Sequence, residues 1–120
     1  FEDMFGGEIY VKKIPSMKIT DIAKVIAPKA KHKIIGKRPG EKLHEQMISV
    51  EDSYSTYEYS KYFKILPQIN HWGKNTKKII KNGIKVSDDF IYSSNTNSQW
   101  MTKFELRSWI IANKDKLIKY

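Results

Sequence analysis

Cysteine is missing from all 120 residues, which rules out a disulfide framework and any metal site built on thiolates. Nothing therefore suggests an oxidising, secreted setting. No apolar run comes near the roughly 20 residues that cross a bilayer as a helix. The six glycines never fall in a G-x-G-x-x-G arrangement, so the turn with which a strand-to-helix unit grips a dinucleotide is not found here. A helical, proton-moving Tyr-x-x-x-Lys pair is lacking too. Tyr57 and Lys61 have that spacing, but Tyr57-Glu58-Tyr59-Ser60-Lys61 alternates like a strand, where residues four apart lie too far from each other to act together. Metal ligands are equally sparse. His32, His44 and His71 are dispersed, and the neighbours His44 and Glu45 point apart on a strand and splay on a helix.

What is present fits one soluble domain. With 40% hydrophobic residues, a chain of this size buries about two-thirds of its unfolded surface and has room for a core. Phe1 to Phe5 reads as the tail of a helix stopped by Gly6-Gly7, since glycine takes the left-handed conformation after a last turn. Glu8 to Val11 alternates as a short strand. Ile19, Ile22, Ala23 and Ile26 form one helical stripe ended by Pro28, and such a stripe is expected to pack in a core. His32 to Lys37 reads as a strand around Ile34 and Ile35, while Leu43 to Ile48 suits a short helix or a strand. A polar bend at Glu51-Asp52-Ser53 leads into an aromatic strand region from Thr56 to Leu66, closed by Pro67. Asn82-Gly83, between Ile79-Ile80 and Ile84 with Val86, has the signature of a hairpin tip. Ser93 to Ser98 is polar and turn-rich. Thr102-x-x-Glu105 is a capping box opening a terminal helix whose inner face is Leu106, Trp109, Ile110 and Leu117. Trp72, Trp100 and Trp109 are expected to pack, and Asp88-Asp89 to be solvated or capping.

The net charge of +9 gathers polyanions whatever the fold. Lys74, Lys77, Lys78, Lys81 and Lys85 cluster in an exposed-looking stretch beside Tyr54, Tyr57, Tyr59, Tyr62 and Phe63, side chains able to stack bases. The alternation of those tyrosines with Glu58 and Ser60 is better read as a half-buried strand, and surface lysines as solubilising. A basic nucleic-acid-binding or oligomerisation module without enzymatic activity is therefore the alternative, not the first reading.

The densest chemistry lies at Arg38-Pro39-Gly40-Glu41. Proline fixes its own φ and pushes Arg38 toward an extended backbone, and Gly40 permits a tight turn, so Arg38 and Glu41 can project from one side of a bend. A guanidinium there can grip a phosphate through two hydrogen bonds, and the carboxylate can accept from vicinal hydroxyls. Taken alone, the same two residues would be a surface ion pair beside a turn, which contributes little.

GEIYV, KIPSMKITDIAKVIAP, RPGEKLHEQMI and YSSNTNSQWMTKFEL resemble, in this order, the carboxy-terminal third of the UDP-N-acetylglucosamine 4,6-dehydratases (inverting), members of the extended short-chain dehydrogenase/reductase superfamily. The likeness runs through nearly the whole chain and is weakest from Asn70 to Asp89. Lys12 stands where that family usually has proline, and Lys37 where it usually has an apolar residue.

The resemblance implies an α/β fold class: a small mixed α+β carboxy-terminal substrate-binding portion, residues 1–120, of a Rossmann-type enzyme whose dinucleotide-binding half lies upstream. It implies UDP-sugar as substrate, with Arg38 meeting the diphosphate and Glu41 the ribose hydroxyls. It also implies NADP as cofactor of the parent enzyme, with none bound by this chain alone, a homo-oligomeric parent, and a cytoplasmic location without a membrane. The family reaction oxidises C4 of the hexose, removes water across C5 and C6, and returns hydride to C6 with inversion at C5. All groups catalysing those steps are expected upstream, so this chain alone is expected to be inactive.

Overall fold

A computed structural model of the chain describes residues 5–68 and 76–117. Within it the chain forms two compact units, one from Phe1–Ile14 with Glu45–Thr96, the other from Pro15–His44 with Asn97–Tyr120.

The first unit is built on an antiparallel sheet of four strands. β1 (Ile9–Lys12), β3 (Thr56–Glu58), β4 (Tyr62–Ile65) and β5 (Ile84–Lys85) lie in the order β1-β4-β3-β5. A second ladder joins β2 (Gln46–Ile48) to β6 (Tyr92–Ser93), with a register irregularity between Gln46 and Ile48. Strand alternation decides what each face of the larger sheet carries. Val11 pairs with Phe63, and Ile9 and Thr56 both pair with Ile65, so that face is apolar. It forms the core in which Val11, Phe63 and Ile65 are buried with Ile48, Val86 and Tyr92. Phe63 packs its ring against Phe90 and Tyr92 at 5.2 and 5.0 Å between centroids. The other face carries Tyr10, Tyr57 and Lys64 side by side, since Lys64 pairs with Tyr10 on one flank and Tyr57 on the other.

Two one-turn helices complete this unit, α2 (Val50–Ser53) and α3 (Thr76–Ile79). The expected bend at Glu51-Asp52-Ser53 is in fact α2. Ser49 caps it by accepting from the Asp52 N–H, while the Asp52 carboxylate accepts from Ser49, and this reciprocal box holds a turn of helix where composition suggests only a bend. The aromatic run from Thr56 to Leu66 is a hairpin, not one strand. Its polar middle, Ser60-Lys61, turns the chain, and the Tyr59 N–H donates to the Tyr62 carbonyl at 2.9 Å. Asn82-Gly83 does turn, with Asn82 at φ 63°, but it connects α3 to β5 instead of two strands. Lys12 lies in β1 opposite Tyr62, so its replacement of proline leaves the strand end paired.

In the second unit, α1 (Ile19–Ile26) and α4 (Lys103–Ala112) are in contact, and α5 (Lys114–Leu117) follows α4. The Thr102–Glu105 capping box is formed, with the Glu105 N–H donating to Thr102 Oγ1 and the Thr102 N–H to Glu105 Oε2. A bridge between Ser16 and Trp100 ties the two segments of this unit together, through N–H donation from Ser16 to Gln99 and from Met101 to Ser16, each 2.8 Å.

Three expectations fail in this unit. His32 to Lys37 forms no strand. Ile34 and Ile35 are adjacent and so would face opposite sides, no neighbouring strand supplies a ladder, and both stay exposed. The Ile19–Ile26 stripe is helical as its spacing demands, yet it is not core: no residue of α1 is buried, and Ile19 is 76% exposed. Trp100 and Trp109 are likewise about half exposed, not packed away. Residues 1–4 of the helix expected at Phe1 to Phe5, the position of Trp72, and residues 70–75 of the Asn70 to Asp89 stretch lie outside the described residues.

Candidate functional site

Arg38 to Glu41 closes as a β-turn. The Glu41 N–H donates to the Arg38 carbonyl at 3.1 Å, and Gly40 takes φ 82°. Proline at the second corner and a positive-φ glycine at the third are the marks of a type II turn, in which a non-glycine third residue would be strained. The Glu41 carboxylate folds back over the bend, its Oε2 accepting from the Arg38 N–H at 2.8 Å. That bond fixes the carboxylate against the turn. Both residues are exposed, and no ion pair joins their side chains among the described residues. The turn hangs from a loop instead of ending a strand, so its rigidity comes from its own two hydrogen bonds.

Tyr57 lies in β3 and Lys61 in the hairpin turn, a placement unlike the helical proton-moving pair. His32 and His44 are exposed, and His71 lies outside the described residues. Asp88 is held by Lys85, whose Nζ lies 3.3 Å from its carboxylate and also donates to the Ser53 and Val86 carbonyls. Among the described residues no group of three or more His, Asp or Glu side chains is placed to hold a metal.

The structure adds a charged centre that sequence reasoning passed over. Lys64, read as one more strand residue, is buried on the tyrosine face of the sheet. Its Nζ donates to the Ile79 carbonyl at 2.8 Å and lies 5.1 and 5.2 Å from the ring centroids of Tyr10 and Tyr59. Burial by itself pushes the ammonium down, but a hydrogen bond with Tyr10 and the surrounding tyrosines outweigh it and hold the lysine above its ordinary pKa. Burial likewise raises the Tyr59 hydroxyl. At neutral pH the centre is therefore an ammonium among phenols.

Glu8 is its counterpart. Its carboxylate is buried, which alone would raise it, yet it accepts from the N–H groups of Phe5 at 2.8 Å and Gly6 at 2.7 Å, and together with the charge of Lys64 these hold it below the usual carboxylate value.

Beside Lys64 lies a cavity of about 370 Å³, walled by Tyr59, Tyr62, Ile79 and Phe5 and rimmed by Lys78, Lys81 and Asn82. Tyr59 and Tyr62 stack at 4.7 Å with their rings 13° from parallel. The Asn82-Gly83 turn presses against that wall so closely that a Cβ on Gly83 would come within 2.7 Å of the Tyr59 oxygen. The alternation of tyrosines marks the strands, but only the pairing of β4 with β1 and β3 shows that Lys64 is interior.

Residues 1–67 match the family described as Polysaccharide biosynthesis protein; the chain belongs to that family. Within it, the chain is similar to the UDP-N-acetylglucosamine 4,6-dehydratases (inverting) of two strains of Campylobacter jejuni subsp. jejuni, serotypes O:2 and O:23/36. It is 52% and 51% identical to them over 110 residues, which are 88% of this chain and 33% of each relative. An uncharacterized membrane protein of Methanocaldococcus jannaschii is 41% identical over 85 residues, 62% of this chain and 26% of that protein. The chain thus spans about a third of the length of the curated relatives it matches. Among solved structures, Pen from Bacillus thuringiensis superposes with a TM-score of 0.69 over 91% of this chain and 32% of that one, at 24% identity, which supports the mixed α/β fold with antiparallel sheets. No helix among the described residues is long and apolar enough to cross a membrane.

Proposed function

We propose that this chain is the carboxy-terminal, nucleotide-sugar-binding part of a C5-inverting UDP-N-acetylglucosamine 4,6-dehydratase of Rossmann type, acting in the cytoplasm on precursors of surface polysaccharide or other glycans. The observation that carries the reading is the 52% identity to such a dehydratase over 88% of this chain. The geometry of that turn supports it. Arg38 presents a guanidinium for a diphosphate, and Glu41, braced through Oε2, keeps Oε1 to accept from a ribose hydroxyl.

The described residues of this chain do not fit a dinucleotide site. Its described positive-φ glycines, Gly6, Gly7, Gly36 and Gly40, precede a strand or sit in a loop and a β-turn, and none lies between a strand and a helix start where a pyrophosphate would rest. NADP, which supplies hydride chemistry in such enzymes, is accordingly assigned to the rest of the parent, and no step through it is derived from these residues. The contribution of this chain is to bind and orient the nucleotide half of the substrate.

In the intact parent enzyme, Arg38→Ala is expected to weaken UDP-sugar binding by about 1.5–3 kcal/mol, the range for a hydrogen bond to a charged group. Calorimetric titration with UDP measures it, and unchanged affinity would remove Arg38 from the site.

A further inference from the structure

The cavity beside Lys64 takes no part in the reading above. At about 370 Å³ it falls within the size range of small-molecule sites. Three lysines, Lys64, Lys78 and Lys81, line it, and among the described residues no carboxylate does. Glu8, the acid whose charge acts on Lys64, is already committed to two backbone N–H groups. Lys78 and Lys81 are three residues apart at the end of α3, exposed, and without an ion-pair partner among the described residues. Lys64 is engaged with the Ile79 carbonyl, Tyr10 and Tyr59, so what it adds to the cavity is its charge.

We propose that this cavity is a binding site for a small phosphate-bearing anion, whose phosphoryl oxygens are taken by Lys78 and Lys81 over the buried charge of Lys64. The aromatic walls favour a small anion over a nucleobase. Tyr59 is stacked on Tyr62 and adjoins Lys64, and Tyr62 also meets Tyr10 at 5.3 Å, so these rings are already engaged with one another and with the lysine. The site therefore offers charge instead of a stacking platform. Its wall is braced from behind, because the Gly83 backbone abuts the Tyr59 phenol. A buried cation with two exposed ones beside it suits the compact double charge of a phosphate monoester.

The test is an NMR titration of the 120-residue chain carrying Ile19→Lys and Ile26→Lys, exposed positions of the other unit changed to keep it monomeric, following the ring signals of Tyr59 and Tyr62 and the ε-methylene signal of Lys64. Inorganic phosphate and glucose 6-phosphate are added separately, each against sodium chloride of equal ionic strength. Saturable shifts with phosphate or the sugar phosphate and none with chloride are expected. Equal affinity for both assigns the site to free phosphate, and tighter binding of the ester assigns it to a phosphorylated metabolite. Lys78→Ala combined with Lys81→Ala should weaken binding tenfold or more. Lys31→Ala with Lys33→Ala, exposed lysines of the other unit, should leave it unchanged, as should Arg38→Ala. Shifts reproduced by chloride, or lost equally in both double variants, would overturn the site. So would an oligonucleotide that competes more tightly and is weakened as much by the Lys31 and Lys33 changes, which would reveal a general polyanion surface.

Discussion

Glu8 and Lys64 set opposite limits on the stability of the first unit. The folded carboxyl of Glu8 titrates below its ordinary 4.5, so its stabilisation is fully present above that value and is lost as pH falls through the lower folded pKa. The folded ammonium of Lys64 titrates above 10.5, so its contribution is complete below 10.5 and disappears as pH rises through the raised value. Stability from this pair should be flat between the two. Glu8→Gln should remove the acid limb and lower stability at neutral pH by about 1–3 kcal/mol, because an amide can accept from only one of the two N–H groups and leaves the other unpaired. Urea unfolding measured at several pH values between 3 and 7 checks this. A variant with the same acid dependence as the parent sequence would show that the carboxylate of Glu8 is not its source.

At the scale of the element, α4 depends on its first turn. None of its residues is buried, so packing contributes little and the Thr102–Glu105 box carries an unusual share of the helix. Thr102→Ala should cost about 0.5–2 kcal/mol, read as lost helical circular dichroism and a lower urea midpoint; an unchanged spectrum would mean that tertiary contacts, not the cap, hold the helix. This box was legible in the sequence because it is local: two side chains and two N–H groups within four residues. The Arg38 turn was legible for the same reason, through the fixed φ of Pro39 and the freedom of Gly40, and so was the 3.6-residue period of α1. What failed depended on partners distant in sequence. Ile34 and Ile35 have the composition of a strand but no ladder to join. The Thr56 to Leu66 alternation continues through a turn that only cross-strand bonding reveals. Lys64 was indistinguishable from the solubilising lysines around it until β1 and β3 closed on either side and Ile79 supplied a carbonyl. The Arg38 turn was therefore readable from sequence, while the Lys64 centre arises only when strands and a helix turn converge.

For the whole molecule, the second unit poses a problem of solvation. Ile19, Ile26, Ile34, Ile35, Leu43, Phe104 and Ile111 are all more than two-thirds exposed, more large apolar surface than a small unit ordinarily leaves to water. The relatives are about three times as long as this chain, and on the proposed reading a further part of the enzyme covers these residues. The chain alone should then self-associate, with its charge of +9 opposing contact at low ionic strength. Raising salt screens that repulsion within about 10 Å at 0.1 M, so association should grow with salt, the reverse of what electrostatic binding of a phosphate would do. Size-exclusion chromatography with light scattering at 20 and 300 mM sodium chloride distinguishes the two. Ile19→Lys with Ile26→Lys should restore the monomer of the isolated chain, yet destabilise the intact parent. A chain that stays monomeric at both salt concentrations would mean that this apolar surface is not sticky enough to be an interface. A parent enzyme indifferent to the double substitution would mean that the α1 stripe faces water there too.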